Sequence, residues 1–210
     1  MTGGVNDLDG IQALATTLLL ICIAATAPAR HGGFAGSDEP LDEGGLRDAA
    51  RTALNDRFRD STFTSPALAA AETAGAMGIT GRTEPALADI DHGRWSGRAF
   101  AQVHEDEPSA FSAWIADPLG GAPGGESMET ARQRIGRWMD EIARHDGQAC
   151  GITHPMIVRA ALSHALCLPL STTLAIDIAP LSHTVFSFSG RWRLQSLGLA
   201  GGLAGSGLPG

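Results

Sequence analysis

Two short apolar runs constrain the fold of this chain more than any other feature. Leu18–Ile23 consists of Leu and Ile with one Cys, and residues 147–153 read GQACGIT. Continuous runs of this length are typical of strands that are buried on both faces of a parallel sheet. Segments with helical spacing lie between and after them. The sequence therefore predicts an α/β fold, a three-layer α/β/α sandwich around a mostly parallel central sheet.

The other segments fit this alternation. DEPLDEGGLRDAARTALNDRF begins a predicted helix, because acidic residues come first and Leu46, Ala50 and Leu54 follow at helical spacing. Further predicted elements are a short strand in STFTS, helices in SPALAAAETAGAMGI, 99–118, 126–145 and 155–166, and a hairpin turning at Ser189-Gly190. We expect one domain over residues 1–198 and a flexible Gly-rich tail over 199–210.

Charge excludes several classes of function. The net charge is −8, and all 15 basic residues are Arg. Nucleic acid and anionic membranes are not expected as partners, because both require a basic face. The sequence contains neither Lys nor Tyr. This excludes mechanisms that use a Schiff-base lysine or a tyrosine acid.

Cysteine and histidine spacing predicts no metal site. Cys22, Cys150 and Cys167 have no paired spacing, and the histidines lack both i, i+4 spacing and partnered cysteines. We therefore expect no disulfide framework, no metal and no cofactor. Cys22 and Cys150 lie in the apolar runs, which favours buried, unreactive thiols.

The segment Thr17–Gly45 has three interpretations. It is a secretory signal, it contains a catalytic Arg30-His31-Gly32, or it is a core strand whose last residues no longer carry catalytic side chains. A signal needs a basic flank before its apolar core, but residues 1–10 contain two Asp and no basic residue. The apolar run is also too short to span a bilayer. We expect a cytoplasmic protein.

Ligands of parallel α/β sheets bind beyond the carboxyl ends of the strands. The residues that end the two buried strands are Cys22-Ile23-Ala24 and Thr153-His154-Pro155. These two strand ends are where the sequence predicts a functional site.

Five motifs between Leu18 and Leu197 resemble those of the histidine phosphatase superfamily, the phosphoglycerate-mutase-like family. In chain order they are DEPLDEGG, SPALAAAETA, LADIDHGRWSGR, GGES and THPMIVRAAL. The resemblance implies the fold predicted above. It also implies a nucleophilic His in an Arg-His-Gly motif that ends the first strand, a second His, phosphate-binding Arg side chains and a carboxylic acid that protonates the leaving oxygen.

This chain departs from the family at the decisive positions. The family interval before DEPL reaches Ile23, whereas Arg30-His31-Gly32 lies only seven residues before Asp38 and is a chance match. By the resemblance, Cys22 occupies the Arg position and Ile23 the nucleophile position. In the second motif, Ala69 occupies the phosphate-binding Arg position.

The positions that the resemblance retains are Thr26, the second histidine His154 and the acid Asp89. His154 is interpreted either as a structural histidine or as a proton-transfer group. Asp89 is interpreted either as a turn cap or as that group's partner. His92, beside the acid, and His183, before the last hairpin, are candidate substrate contacts; the alternative is that both are ordinary loop histidines.

Arg30 lies on the loop that crosses the cleft in relatives and is the last candidate contact. The predicted catalytic residues are thus His154 and Asp89. The predicted substrate-binding residues are Ile23, Thr26, Arg30, Ala69, His92 and His183.

Three functions remain open. The first is a repurposed enzyme that carries out an isomerisation, cyclisation, dehydration or hydrolysis of a small molecule with His154 and Asp89. The second is a non-catalytic pseudophosphatase that acts as a subunit or ligand-binding partner. The third is residual phosphomonoesterase activity. The expected partner is a small-molecule substrate, and a homodimer is compatible with the family.

Overall fold

The computed structural model describes residues 15–199. Its sheet has six strands in the order β3-β2-β4-β1-β5-β6. The pairs β3–β2, β2–β4 and β4–β1 are parallel, while β5 and β6 are antiparallel to their neighbours. The strands are β1 (Thr16–Cys22), β2 (Thr62–Thr64), β3 (Arg82–Thr83), β4 (Gly147–Thr153), β5 (Ser182–Phe188) and β6 (Trp192–Leu199). The predicted α/β fold with a mostly parallel sheet is confirmed.

The two apolar runs form the centre of the sheet. β1 and β4 pair in register from Thr16 with Gly147 to Cys22 with Thr153. Leu18, Leu20 and Ile21 are fully buried. The central parts of strands that are flanked on both sides and covered on both faces are apolar, which explains why residues 18–22 and 149–152 do not alternate with polar residues.

Eight α-helices surround the sheet within the described residues. They are α1 (Ala27–His31), α2 (Glu43–Ala50), α3 (Leu68–Ala76), α4 (Phe100–Asp106), α5 (Pro108–Ala116), α6 (Met128–Ile142), α7 (Pro155–Leu166) and α8 (Leu170–Thr173). Side-chain caps set the starts of α2 and α6, among others: Asp42 accepts from Gly45 N and Ser127 accepts from Thr130 N.

Several predicted boundaries were wrong. The helix that contains Leu46 ends at Ala50, and a short 3₁₀ helix follows at Asp56–Ser61. Residues 99–118 form two helices, because Pro108 lacks the N–H that a continuous helix needs. Leu199, placed in the predicted tail, ends β6, and residues 200–210 lie outside the described part.

The strand order brings the predicted strand ends together. β1 and β4 are parallel neighbours, so their carboxyl ends meet at one edge of the sheet. Ile23 N donates to Thr153 O at 2.8 Å, which places Ile23 beside the residue that precedes His154.

Candidate functional site

His154 forms the junction between β4 and α7. Its backbone is extended, and its carbonyl accepts from Ile157 N and Val158 N in the first turn of α7. Pro155 occupies the first helical turn, where a missing N–H costs nothing. The helix start therefore uses the backbone of His154 and leaves its imidazole free for other contacts, although the residue is only 3% exposed.

The imidazole of His154 contacts two polar side chains from different parts of the chain. Its Nε2 lies 2.8 Å from Ser65 Oγ, within hydrogen-bond distance. Its Nδ1 lies 3.3 Å from Asp89 Oδ2. This second pair is close enough for charge interaction, although the two atoms are not aligned for a hydrogen bond. The structure thus brings together both predicted catalytic residues and adds Ser65.

Ser65 is held in place by the edge of the sheet. It follows β2, and its N–H donates to Ile152 O of β4 at 2.9 Å. Its Oγ also accepts from Ala67 N at 3.2 Å. The parallel pairing of β2 with β4 therefore fixes the serine hydroxyl beside the imidazole that follows β4.

Asp89 lies on a segment that Arg134 of α6 holds. Nη1 of Arg134 donates to Ala86 O at 2.8 Å and to Ala88 O at 3.0 Å. Nη2 binds Glu126 Oε2 at 2.8 Å. Asp89 Oδ1 accepts from Ile90 N at 2.9 Å, which orients the carboxylate so that Oδ2 faces His154. Arg134 and Glu126 are thus positioning residues for Asp89.

A cavity of about 310 Å³ adjoins these side chains. It is lined by Ala35, Gly36, Ser37, Ser65, Pro66, Ala67, Ala88, Asp89, Ile90, Asp91, Ser96 and His154. The lining includes two carboxylates and no Arg. A cavity of this composition favours an uncharged or cationic ligand over an anionic one, because two carboxylates and no Arg side chain line it.

Two other concave regions are larger but less suitable. A shallow depression of about 650 Å³ shares Asp89 and Asp91 and also contains Arg134, whose guanidinium is already bound by Glu126 and by backbone carbonyls. A cavity of about 450 Å³ lies at the opposite, amino ends of β1 and β4, beside Thr16 and Gly147. That cavity contains none of the predicted site residues.

Burial sets the protonation of the site histidine. It lowers the pKa of His154 below its usual value; Asp89 opposes this shift, and the charge of Arg134 adds to it. The imidazole is therefore neutral near pH 7 and can accept a proton. Burial also raises the pKa of the Cys22 thiol to about 12, with a further contribution from Asp89, so this thiol is unreactive.

Ile23 and Ala69 lie in the apolar core. Ile23 is 8% exposed and Ala69 is 3% exposed, and both pack in the main core cluster rather than in the wall of the 310 Å³ cavity. Their predicted contact with a substrate stays a prediction. The predicted burial of Cys22 and Cys150 is confirmed.

The loop predicted around Arg30 and His31 is instead the short helix α1. Thr26 caps it by accepting from Ala29 N at 3.4 Å, and Pro28 lies in its first turn. This cap and proline explain why the segment is helical rather than a loop. Arg30 forms an exposed ion pair with Asp42, so its guanidinium is already engaged.

The two other predicted contacts also lie outside the cavity lining. His92 packs against the ring of Phe34, with ring centroids 5.0 Å apart, and burial lowers its pKa while Asp89 and Asp91 oppose the shift. His183 is buried in β5, burial lowers its pKa, and neither ring nitrogen has a hydrogen-bond partner within residues 15–199.

Metal-binding clusters and membrane-spanning helices were sought in the described residues. Within residues 15–199, no group of three or more His, Cys, Asp or Glu side chains is arranged to hold a metal ion. No helix in this part of the chain is both long and apolar enough to cross a membrane.

Several proteins that resemble this chain are named as phosphatases. The chain is 29% identical to phosphoserine phosphatase 1 of Hydrogenobacter thermophilus over 163 residues, covering 73% of this chain and 77% of that protein. It is 25% identical to a mycobacterial glucosyl-3-phosphoglycerate phosphatase in complex with vanadate, with a TM-score of 0.74 over 87% of this chain and 98% of that one. An α-ribazole phosphatase from Shigella flexneri, 19% identical, shares the fold with a TM-score of 0.78 over 88% of this chain and 96% of that one.

The family assignment matches the motifs and the sheet described above. The model of the histidine phosphatase superfamily (branch 1) matches residues 18–199, nearly the whole described part of the chain. The protein belongs to the histidine phosphatase superfamily.

Proposed function

We propose that this protein is not a working phosphatase but a repurposed enzyme that performs acid/base chemistry on a small molecule with His154 and Asp89. One observation carries the proposal: His154 and Asp89 pair in the wall of a cavity whose lining contains no Arg. This arrangement keeps the groups that move protons and lacks the groups that would bind a phosphoryl oxyanion.

Phosphoryl transfer through phosphohistidine needs an imidazole nucleophile and guanidinium groups on the phosphoryl oxygens. By the family resemblance, Ile23 stands at the nucleophile position and Cys22 and Ala69 stand at two Arg positions. Each lost charge-assisted contact removes about 1.5–3 kcal/mol of binding free energy. Arg159 is near enough to Cys22 to lower the pKa of its thiol, but Arg159 Nε already donates to Ile176 O at 2.9 Å.

A neutral, buried imidazole next to a carboxylate suits proton transfer. Burial holds the pKa of His154 below its usual value, so the ring accepts a proton near neutral pH. Asp89 then faces the imidazolium that forms and stabilises it. Such a pair, together with the shape of the cavity, can support isomerisation, cyclisation, dehydration or hydrolysis of a neutral metabolite.

Two other functions have one supporting observation each. The burial of His154, at 3% exposure, also fits a structural histidine in a non-catalytic pseudophosphatase. The names of the relatives favour a residual phosphomonoesterase. The residual phosphomonoesterase is weaker, because by the resemblance Ile23 replaces the nucleophile and Cys22 and Ala69 replace two Arg residues. The pseudophosphatase is weaker, because it gives no reason for the carboxylate and the imidazole to meet in a cavity wall.

The test compares wild-type protein with His154→Ala and with His164→Ala. His164 pairs with Asp140 at 3.0 Å outside the 310 Å³ cavity, so its removal is a matched control. Each protein is incubated with p-nitrophenyl phosphate and with a panel of uncharged metabolites, and mass spectrometry follows the products. We expect no phosphate release and turnover of a neutral compound that His154→Ala alone abolishes. Phosphate release that depends on His154 would contradict the proposal.

A further inference from the structure

We infer that Ser65 is a nucleophile and that the site hydrolyses small carboxylic esters through an acyl-serine intermediate. This inference rests on the proposed acid/base function of His154 and Asp89 and specifies its reaction. Its basis is the order of contacts Ser65 Oγ, His154 Nε2, His154 Nδ1 and Asp89 Oδ2, with distances of 2.8 Å at the first pair and 3.3 Å at the second.

This order of groups is the one that nucleophilic serine catalysis requires. The hydroxyl must lie within hydrogen-bond reach of an imidazole nitrogen, and a carboxylate must face the other nitrogen. Three separate segments supply these groups, namely the end of β2, the segment before His92, and the end of β4. The constellation is recognised by this geometry, since chain order differs between unrelated folds.

The proposed reaction requires one arrangement of protons. The His154 proton is then on Nδ1, 3.3 Å from Asp89 Oδ2, and Nε2 can accept from Ser65 Oγ. In this arrangement Ser65 Oγ accepts from Ala67 N at 3.2 Å and donates its own proton to Nε2 at 2.8 Å. One lone pair of the hydroxyl oxygen then remains for attack.

The reaction balances without a cofactor. Ser65 Oγ forms a bond to the carbonyl carbon of the ester, and its proton moves to His154 Nε2. The tetrahedral intermediate collapses, the bond to the alkoxy oxygen breaks, and Nε2 returns the proton to the leaving alcohol. Water then attacks the acyl-serine, gives a proton to Nε2, and the collapse releases the carboxylic acid and regenerates the Ser65 hydroxyl.

The reaction also needs hydrogen-bond donors for the developing oxyanion, and we assign this role to backbone N–H groups of the cavity wall. Gly36 and Ser37 line it, and their backbone N–H groups donate to no other group within residues 15–199. Backbone donors of this kind stabilise a tetrahedral oxyanion without a compensating cation. No mobile side chain is needed for this step.

Size and charge define the substrate class. A volume of about 310 Å³ is at the small end of ligand cavities. Asp89 and Asp91 line it without any Arg, which disfavours anionic substrates. The substrate is therefore a small ester that is uncharged or cationic.

A fluorophosphonate probe tests the nucleophile directly. Attack by Ser65 forms an O–P bond, expels fluoride and transfers the hydroxyl proton to His154, which leaves a stable adduct. Wild type, Ser65→Ala, His154→Ala and Ser163→Ala are labelled and digested, and the modified peptide is identified by mass spectrometry. Ser163 is 3% exposed against 1% for Ser65, donates to Leu168 O and lies outside the cavity, so it controls for loss of a buried hydroxyl.

We expect an adduct on Ser65 in wild type and in Ser163→Ala, none in Ser65→Ala, and labelling at least about 100-fold slower in His154→Ala. If Ser65→Ala does not fold, Ser65→Cys replaces it, and iodoacetamide should then alkylate residue 65 faster in the presence of His154 than in its absence.

Absence of an adduct on Ser65 in folded wild type would overturn the inference. Turnover of a neutral substrate that His154→Ala abolishes and Ser65→Ala retains would also overturn it, while leaving the proposed acid/base function standing. If every variant, His154→Ala included, kept the wild-type turnover, the proposed function itself would be contradicted.

Discussion

Asp89 Oδ2 lies 3.3 Å from His154 Nδ1, and the two side chains differ sharply in their access to solvent. The Asp89 side chain is 25% exposed, whereas that of His154 is 4% exposed. The carboxylate therefore keeps contact with water while it faces an imidazole that has almost none. Such a pair stabilises a transient imidazolium without holding the ring permanently charged.

Asp89→Asn should lower the pKa of His154 further. Burial already lowers it, and the charge of Asp89 is the contribution that opposes this shift. NMR titration of the His154 ring protons measures the change directly. Turnover should fall about 10²–10⁴-fold, as for other positioned acid/base partners. The control is Asp140→Asn, which alters the separate pair with His164 and should leave the pKa of His154 unchanged. If Asp89→Asn also left the pKa of His154 unchanged, the account would be contradicted.

Stability should fall as the pH drops from about 6.5, the ordinary His value. Burial lowers the pKa of His154 and of His183 in the folded state. As the pH falls, these histidines therefore take up protons in the unfolded chain before they do so in the folded one, and the free energy of unfolding decreases. Each group contributes at most about 1.4 kcal/mol per pH unit. The hydrogen-bonded ion pair with Arg30 lowers the pKa of Asp42 to about 2. The stabilising contribution of this carboxylate is therefore lost only below about pH 4.

Urea unfolding at a series of pH values between about 5 and 7.5 measures that dependence. His183→Leu should make the slope shallower, because it removes one of the buried titrating groups. Ser163→Ala removes a buried polar side chain that does not titrate and should leave the slope as it is in wild type. A pH-independent free energy of unfolding over this range would contradict the burial of neutral histidines.

Arg134→Ala should destabilise the fold and weaken activity together. It removes hydrogen bonds to Ala86 O and Ala88 O and leaves Glu126, whose side chain is 15% exposed, without its partner. We expect a loss of about 1–3 kcal/mol in the free energy of unfolding. Arg132→Ala is the control on the same helix, because its ion pair with Glu129 is more exposed and should cost less than about 1 kcal/mol. Equal losses in the two variants, measured by urea unfolding, would contradict the positioning role.

Thiol reagents should distinguish the cysteines. Cys167 is exposed, whereas Cys22 and Cys150 are buried, and burial raises the pKa of both buried thiols, that of Cys22 to about 12. Under native conditions an aromatic disulfide reagent should therefore modify one thiol per chain, and three in urea. Rapid native modification of Cys22 would show that the end of β1 is open to solvent.

The strand ends were predictable from sequence because burial dictates composition. An uninterrupted apolar run such as Leu18–Ile23 fits a central strand and little else, and the pairing of β1 with β4 follows from two such runs. This places His154 at the correct edge of the sheet. The helix boundaries were less predictable, because local caps such as Thr26 and breaks such as Pro108 compete with periodicity.

The third member of the constellation could not be inferred in the same way. Ser65 precedes a proline and a helix, a position where serine commonly satisfies local backbone donors, and it does accept from Ala67 N. Its contact with His154 depends on the register of β2 against β4, which no local pattern reveals. Arg134 likewise acts through backbone carbonyls that leave no trace in side-chain chemistry.

The most direct test of the central claim is oxyanion binding. Thermal unfolding of wild type and His154→Ala is followed with vanadate and with phosphate, beside a phosphatase relative that binds vanadate. A ligand at 100 times its Kd stabilises the folded state by about 2.7 kcal/mol. We predict this stabilisation for the relative and none for this protein, because no Arg lines the cavity at His154. Stabilisation of wild type that disappears in His154→Ala would contradict the account and return the site to phosphate-ester chemistry.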